Sequence, residues 1–376
     1  MAISVTRKEC QKKLPNRHKL LHHCCNKRNH LKIMRLNKLS RLPLLALLVG
    51  LTSVNSFGIE ATTNPVGVIQ VTALGNSDTL VSIPLKQPAV FNGVINQVGA
   101  STIKAEGAPG WTIDEWAVGY YAFVRSGSIA GAYGEITGNT ADTITIDVGD
   151  GSLLVDGPSA SDSFSIHPFL TLDTLFPNGS GVHASASPGA RTSEIFIPAF
   201  DIGINNASEA TYYYHNGGWR QVGSSLSEDF GSTVLAPDSY FILRNSIATS
   251  TTVTFTGEVV MGDLTLPICL GDSSKQDNPI GLQRPIEMTL NESGLSSAFG
   301  AGDELLIWDN AVAQQNRLAS TASVFTWDSV KWIKDGVDAD VGNDPVLVPG
   351  NGFIVRKAAG GGLAEIDWSN VPNYGN

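Results

Sequence analysis

Positive charge is scarce along most of this chain. The 376 residues hold 25 Lys and Arg against 35 Asp and Glu. Twelve of the basic residues but a single acid, Glu9, lie before residue 42, leaving 13 basic and 34 acidic residues beyond it, a net of −21. Such a surface repels phosphate backbones and argues against nucleic acid as a partner. It suits a soluble protein in a salty exterior, where screening weakens self-repulsion. Cysteine is scarce too. Of four, only Cys269 lies beyond residue 25. One cysteine closes no intrachain disulfide, and more than 300 remaining residues bury a core without such staples. Beside Pro267, Ile268 and Leu270 it reads as a small buried hydrophobe. No Gly-x-Ser-x-Gly elbow, His-Glu-x-x-His pair or phosphate-cradling loop occurs. The histidines beyond the leader, His167, His183 and His215, are too dispersed to read as a zinc set.

What is present begins with an export pattern. Met34–Arg41 carries three positive charges, Leu42–Leu51 is a ten-residue apolar core, and Thr52–Gly58 supplies small residues. That order is the secretory arrangement, with cleavage after Ser56 or Gly58. Ten apolar residues are too few for a span, which needs about 20. No longer apolar run follows, so no transmembrane helix is expected in the mature chain. No Cys follows the apolar core, which disfavours a lipid anchor. The first 33 residues, rich in Cys, His, Lys and Arg, look foreign to the rest, and the favoured start is Met34.

Beyond the leader, two-residue alternation dominates. Thr143–Asp147, Phe164–Ile166 and Thr252–Thr256 alternate, and Val81–Ile83, Glu194–Ile197 and Tyr240–Leu243 read as short strands. Clusters of Gly, Asn, Asp and Pro separate them. This predicts an all-β chain of sandwich or barrel type. An internal repeat accompanies the pattern. Glu194–Ile197 recurs as Glu304–Ile307, Tyr212–Trp219 as Phe325–Trp332, and Val234–Arg244 as Val346–Arg356, at offsets of 110, 113 and 112. Ile83–Pro88 matches Ile280–Pro285 at 197, so the first copy carries about 85 extra residues. The expected organisation is a leader and signal peptide over 1–58 and two related sandwich- or barrel-like domains, 59–262 and 263–376. The first carries a small inserted β-domain at about 101–168, an insertion of a kind that loops tolerate.

The blocks Val81–Leu85, the aromatic pairs ending in Trp, and Pro349-Gly-Asn-Gly-Phe-Ile-Val-Arg356 resemble a module of secreted bacterial proteins reading roughly N-L-I-S-L-P … W … L-x-P-G-x-G-Y-W-V-R. The span from about Pro65 to Tyr374 is similar to a secreted family with this duplicated layout. The family's insert is similar to Tyr121–Gly127, Ile136–Thr140 and Asp162–Ile166. The resemblance implies secretion and a duplicated fold, and brings no catalytic residues. The first copy departs from Pro-Gly-x-Gly, having Pro237-Asp-Ser-Tyr240. The glycines are therefore expected to serve a tight turn with positive φ rather than a ligand.

Two groups of residues are candidate sites. Tyr212, Tyr214 and Trp219, with Trp327 and Trp332 in the second copy, offer rings for sugar stacking. Strand alternation commits at least one side of each cluster to the core. Asp335, Asp338, Asp340 and Asp344 form the densest acidic loop, and calcium is the cofactor it suggests. Asp338-Ala-Asp340 opens like a calcium loop but lacks the fifth-position ligand and the closing Glu. The pairs Asp114-Glu115 and Glu228-Asp229 are poor acid dyads, because adjacent strand residues face opposite ways. The leading expectation is a secreted, non-enzymatic structural or surface-interaction protein whose partners are cell-surface polymers or further copies of itself. A carbohydrate-binding protein is the alternative, and a polysaccharide hydrolase the third reading.

Overall fold

The computed structural model describes residues 64–375 except 150 and 363, and only the backbone of Asp338. The leader, Met34 and the signal segment lie outside the described residues. The chain is nearly all β, as the alternation predicts. It starts with β1 (Val66–Ala73) and β2 (Ser77–Ser82). Six strands follow: β3 (Phe91–Val98), β4 (Thr102–Ala105), β5 (Tyr120–Val124), β6 (Tyr133–Asn139), β7 (Thr143–Ile146) and β8 (Ser163–Pro168). They close into a barrel in the order β3-β4-β7-β6-β5-β8. Closure needs Phe91–Val94 paired with Ser163–Ile166, so the barrel includes residues ahead of the expected boundary near Ser101. Its interior is packed by Ile95, Ile103, Ile136, Ile144, Phe164 and Ile166, all at most 2% exposed. Thr143-Ile-Thr-Ile146 shows why: its isoleucines point inward and its threonines outward.

The chain then continues through β9 (Leu170–Thr171), β10 (Ser193–Ile197), β11 (Ala210–His215), β12 (Gly218–Gln221), β13 (Val234–Leu235), β14 (Tyr240–Asn245) and β15 (Thr251–Glu258). The last part holds β16 (Leu264–Cys269), β17 (Gln276–Gly281), β18 (Glu304–Ile307), β19 (Ser323–Trp327), β20 (Trp332–Lys334), β21 (Val337–Asp340), β22 (Gly352–Lys357) and β23 (Glu365–Asn370). Two sheets result. The first runs β2-β14-β10-β11-β12 and the second β17-β22-β18-β19-β20-β21. Each is accompanied by a two-stranded ladder, β1 with β15 and β16 with β23. The matched sequence blocks thus occupy corresponding strands. Each sheet has its own core, and a third apolar cluster joins them through Leu80, Tyr240, Leu306 and Trp308.

The two sheets also lock each other with one set of atoms used twice. Arg244 donates from Nε and Nη2 to the two carboxylate oxygens of Asp78, at 2.7 and 2.8 Å. Asn316, from the second half, donates its N–H to Asp78 Oδ2 at 2.7 Å and accepts from Arg244 Nη2 at 2.8 Å. In the other half Arg356 grips Asp277 at 2.6 and 3.0 Å. Asn205, from the first half, donates its N–H to Asp277 Oδ2 at 2.9 Å and accepts from Arg356 Nη2 at 3.1 Å. Both asparagines have positive φ, 54° and 51°, a conformation Asn tolerates better than most residues. Backbone contacts obey the same exchange: Ser82 donates to the Gly350 carbonyl and Gly281 to that of Asp238. This reciprocity is the mark of an isologous interface, here within one chain. It also covers the edge strands β2 and β17, which would otherwise present unpaired backbone. The lock relates residues 199 apart, Asp78 with Asp277 and Ser82 with Gly281, whereas the sequence match for this block lies at 197. A shift of two residues keeps every strand side chain on the same face, so the pattern alone does not distinguish the registers.

Candidate functional site

The aromatic clusters are core. Trp219 and Trp332 are 1% and 0% exposed and Tyr212 is buried. Tyr214 and Trp327 are half-buried and pack on the cores of their sheets. Trp219 lies 5.6 Å from Phe176 and from Tyr214, and Trp332 lies 5.0 Å from Phe299, ring centre to ring centre. The opposite side of β11 is covered as well. His215 Nδ1 donates to the Ser185 carbonyl, Arg191 sits over Tyr213, and Ser185 N–H donates to the Tyr214 carbonyl. With both sides covered, the two tryptophans present no face to a sugar. The stacking expectation gives way to packing for Tyr212 and for both tryptophans.

The acidic loop becomes the hairpin of β20 and β21. Asp335 stands at its turn, where its N–H donates to the Val324 carbonyl. Asp340 Oδ1 accepts from Gly342 N–H at 2.8 Å and so closes a local turn. Asp344 is exposed, and its N–H donates to the Val341 carbonyl. Asp338 lies on β21 with its side chain outside the described atoms. Among the described residues no group of three or more His, Cys, Asp or Glu converges as a metal site.

A serine–histidine contact that the sequence reading passed over lies on β8. Ser165 and His167, two residues apart, share one face of the strand. Ser165 Oγ is 2.7 Å from His167 Nε2, and His167 Nδ1 is 2.8 Å from the Gln87 carbonyl. A carbonyl only accepts, so Nδ1 carries the proton and Nε2 accepts from the serine. Lys86 stands close by, its ammonium 4.3 Å from the Phe123 ring centre. Burial lowers the His167 pKa to about 3 and that of Lys86 to about 8, with Glu258 opposing the shift at Lys86. The dyad geometry resembles an activated nucleophile, but Ser165 and His167 are 1% and 0% exposed. A nucleophile needs room for its substrate. Both are instead packed inside, with His167 stacked on Tyr121 of the neighbouring barrel strand β5.

Two concavities stand out among the described residues. A groove of about 480 Å³ follows the lock and is lined by Asp78, Arg244 and Asn316, which satisfy one another, and by Asn205, which pairs with Asp277 and Arg356. A cavity of about 420 Å³ lies where the barrel meets the β16–β23 ladder. Its wall is apolar, with Ile103, Val124, Ile146 and Leu153, and it is lined by five acids: Asp147, Asp156, Asp238, Glu365 and Asp367. Asp238 is 8% exposed. Its Oδ1 accepts from Tyr133 Oη at 2.7 Å, while Oδ2 is buried without a hydrogen-bond partner among the described residues. Burial raises its carboxyl to about 6 against the opposing pull of the Tyr133 hydrogen bond, and burial, reinforced by the Asp238 charge, pushes the Tyr133 phenol well up. Asp238 belongs to Pro237-Asp-Ser-Tyr240, the place where the first copy departs from Pro-Gly-x-Gly. That departure was a visible signal. Its partner Tyr133, 105 residues away, left none.

Set against known protein families, curated proteins and solved structures, the chain matches none.

Proposed function

We propose that this chain is a secreted, non-enzymatic structural or surface-interaction protein of the cell exterior. The reciprocal Asp–Arg–Asn lock carries the reading. It commits six polar residues from both halves, four of them buried or half-buried and the two asparagines exposed, to fixing one arrangement of two sheets. Polar groups spent on shape suit a rigid scaffold that presents other surfaces, here the barrel and the outer strands. The export pattern of residues 34–58 and the acidity of the remainder support an extracytoplasmic setting. Cell-surface polymers or further copies of the chain are the partners proposed. Calcium at the β20–β21 hairpin stays a subsidiary proposal. The sealed Ser165–His167 pair disfavours the hydrolase reading, and the buried tryptophans disfavour the sugar-stacking one.

The test is to fractionate cells and medium and to size the native protein. An envelope-bound assembly larger than one chain is expected. A monomer released quantitatively into the medium would overturn the proposal.

A further inference from the structure

The two ladders differ at one edge. Leu270 donates to the Ala364 carbonyl, which sets the alternation of the β16–β23 pair. Asp263, Thr265, Pro267 and Cys269 therefore turn their backbone groups away from β23, and each is covered or lacks a donor. The barrel loop closes on the first two. Thr265 Oγ1 donates to the Ala130 carbonyl at 2.7 Å, and an added Cβ on Gly131 would stand 2.3–2.6 Å from the backbone of Asp263–Thr265. Pro267 has no N–H to leave unpaired. Cys269 N–H donates to Asn278 Oδ1, and its carbonyl accepts from Asn278 Nδ2. In the other ladder Val259 donates to the Pro65 carbonyl, so Val66, Val68, Gln70 and Thr72 turn their backbone groups away from β15. Among the described residues none of these four amides and carbonyls meets a partner. Their side chains are exposed as well, Val66 at 76% and Val68 at 66%. The far edge of this ladder is partly closed, because Glu258 exchanges both backbone bonds with Lys86.

A row of donors and acceptors at strand spacing is a template for another strand. Edge strands are ordinarily blunted by Lys, Pro or a bulge. β1, Val66-Gly-Val-Ile-Gln-Val-Thr-Ala73, has no charge, no proline and an unbroken register. Charge indicates the occupant. Two copies of a chain with a net of −21 beyond residue 41 repel one another over most of their surface, and β1 is an uncharged place where they meet without that penalty. We propose that β1 pairs antiparallel with β1 of a second copy about a two-fold axis, giving a four-stranded sheet β15-β1-β1-β15. Full overlap sets Val66 opposite the partner's Thr72 and Val68 opposite the partner's Gln70, so that exposed β-branched side chains gain cross-strand neighbours. The contact is isologous and closes at two copies, which removes the edge instead of propagating it. The second half needs no such partner, because the barrel loop, Pro267 and Asn278 already close the matching edge of β16. This inference deepens the proposed self-association, on which it rests, by naming the surface.

Sedimentation velocity of the whole mature protein over a range of concentrations tests the proposal. The mass is expected to rise from one chain to two and to stop there. Val68→Pro removes one outward N–H from each copy and none that serves β15. Val68→Lys keeps that N–H and installs, at an exposed side chain, the charge that edge strands ordinarily carry. Each should weaken the dimer at least about tenfold, whereas Val330→Lys, on the exposed β19–β20 turn, should leave it unchanged. Amide hydrogen exchange reads the edge without a variant. The amides of Val66, Val68, Gln70 and Thr72 should be protected in the dimer and exchange rapidly on dilution, while those of Gly67, Ile69 and Val71 stay protected throughout by β15. Growth beyond two copies, protection of the four outward amides in the monomer, or an equal loss in Val330→Lys would overturn the pairing. A dimer that both β1 variants leave intact would overturn it too, with self-association then standing on another surface. A single chain at every concentration would remove the self-association as well.

Discussion

The two halves of this chain hold corresponding sheets, of five and six strands, and the same lock, but they differ at the turn that faces across the interface. The second half has Pro349-Gly-Asn-Gly352 there and the first has Pro237-Asp-Ser-Tyr240. Gly350 takes φ +78° and lies against Val71, and Gly352 lies against Tyr240. The first half instead places a carboxylate toward the barrel and a phenol ring into the space that Gly352 leaves. Two nearly equivalent turns have therefore taken complementary sizes. The asymmetry admits a tight interface. Asp238, at this departure, lines the cavity together with Thr265, Pro267, Glu365 and Asp367 of the second half.

The largest expected effect separates the two clamps of the lock. Arg356 and Asp277 expose 8% and 7% of their side chains, and Arg244 and Asp78 expose 24% and 5%. Removing one partner of a buried pair leaves an uncompensated charge, at a cost of about 3–5 kcal/mol. Arg356→Ala should approach that range in urea unfolding. Arg244→Ala should cost less, because water reaches the remaining Asp78 once the wetter arginine is gone. Equal losses would mean that the clamps are energetically symmetric despite their different exposure.

Much of this architecture was legible in the sequence, and the limits have physical causes. Short alternating runs such as Thr143–Ile146 disclosed the strands, because burial on one face imposes period two. The arginines at the ends of the matched blocks, Arg244 and Arg356, were visible as repeat members. Their partners were not. Asp78 and Asp277 precede the block that matched at 197, and the true spacing of 199 preserves the face of every residue. Asn205 and Asn316 sit in loops whose sequences do not align, since a cap needs only a backbone N–H and an amide in place. The aromatic clusters were read correctly as partly core, but the covering of β11 by residues 183–192 is a long-range contact with no local pattern. The cavity depends on Tyr133 and Asp238 meeting across 105 positions, which no periodicity records.

Asp238 yields an effect of intermediate size with a defined sign. Its carboxyl is raised to about 6 by burial, against an ordinary value of 3.8, so the folded chain holds this proton more tightly than the unfolded one. The associated stability is fully present below about pH 4 and is lost as pH rises through about 6. Two pH units correspond to about 3 kcal/mol. Asp238→Asn keeps an acceptor for Tyr133 and has no proton to lose. It should therefore be more stable than the parent by up to about 3 kcal/mol at pH 8 and equal to it near pH 3.5, as read by urea unfolding at the two values. A variant less stable at pH 8 would show the carboxylate to be structural, and would place the two turns on the same footing.

The smallest effect concerns the fit between the turns themselves. A Cβ at position 352 would stand 2.3 Å from both Cβ and Cγ of Tyr240, atoms too close to the backbone to swing aside. Gly352→Ala should therefore cost about 1–3 kcal/mol by overpacking. The informative quantity is the coupling. Tyr240→Gly removes the obstructing atoms and costs stability through the cavity it opens, but in that background Gly352→Ala should be nearly neutral. The double-mutant cycle should accordingly show a coupling of about 1 kcal/mol or more. Additive losses would mean that Gly352 is required for its own strand conformation rather than for the ring opposite. Its φ lies outside the left-handed region that favours glycine, unlike that of Gly350, so contact with Tyr240 is the physical reason for a glycine at this position. A strong coupling would tie the missing side chain of one half directly to the added ring of the other.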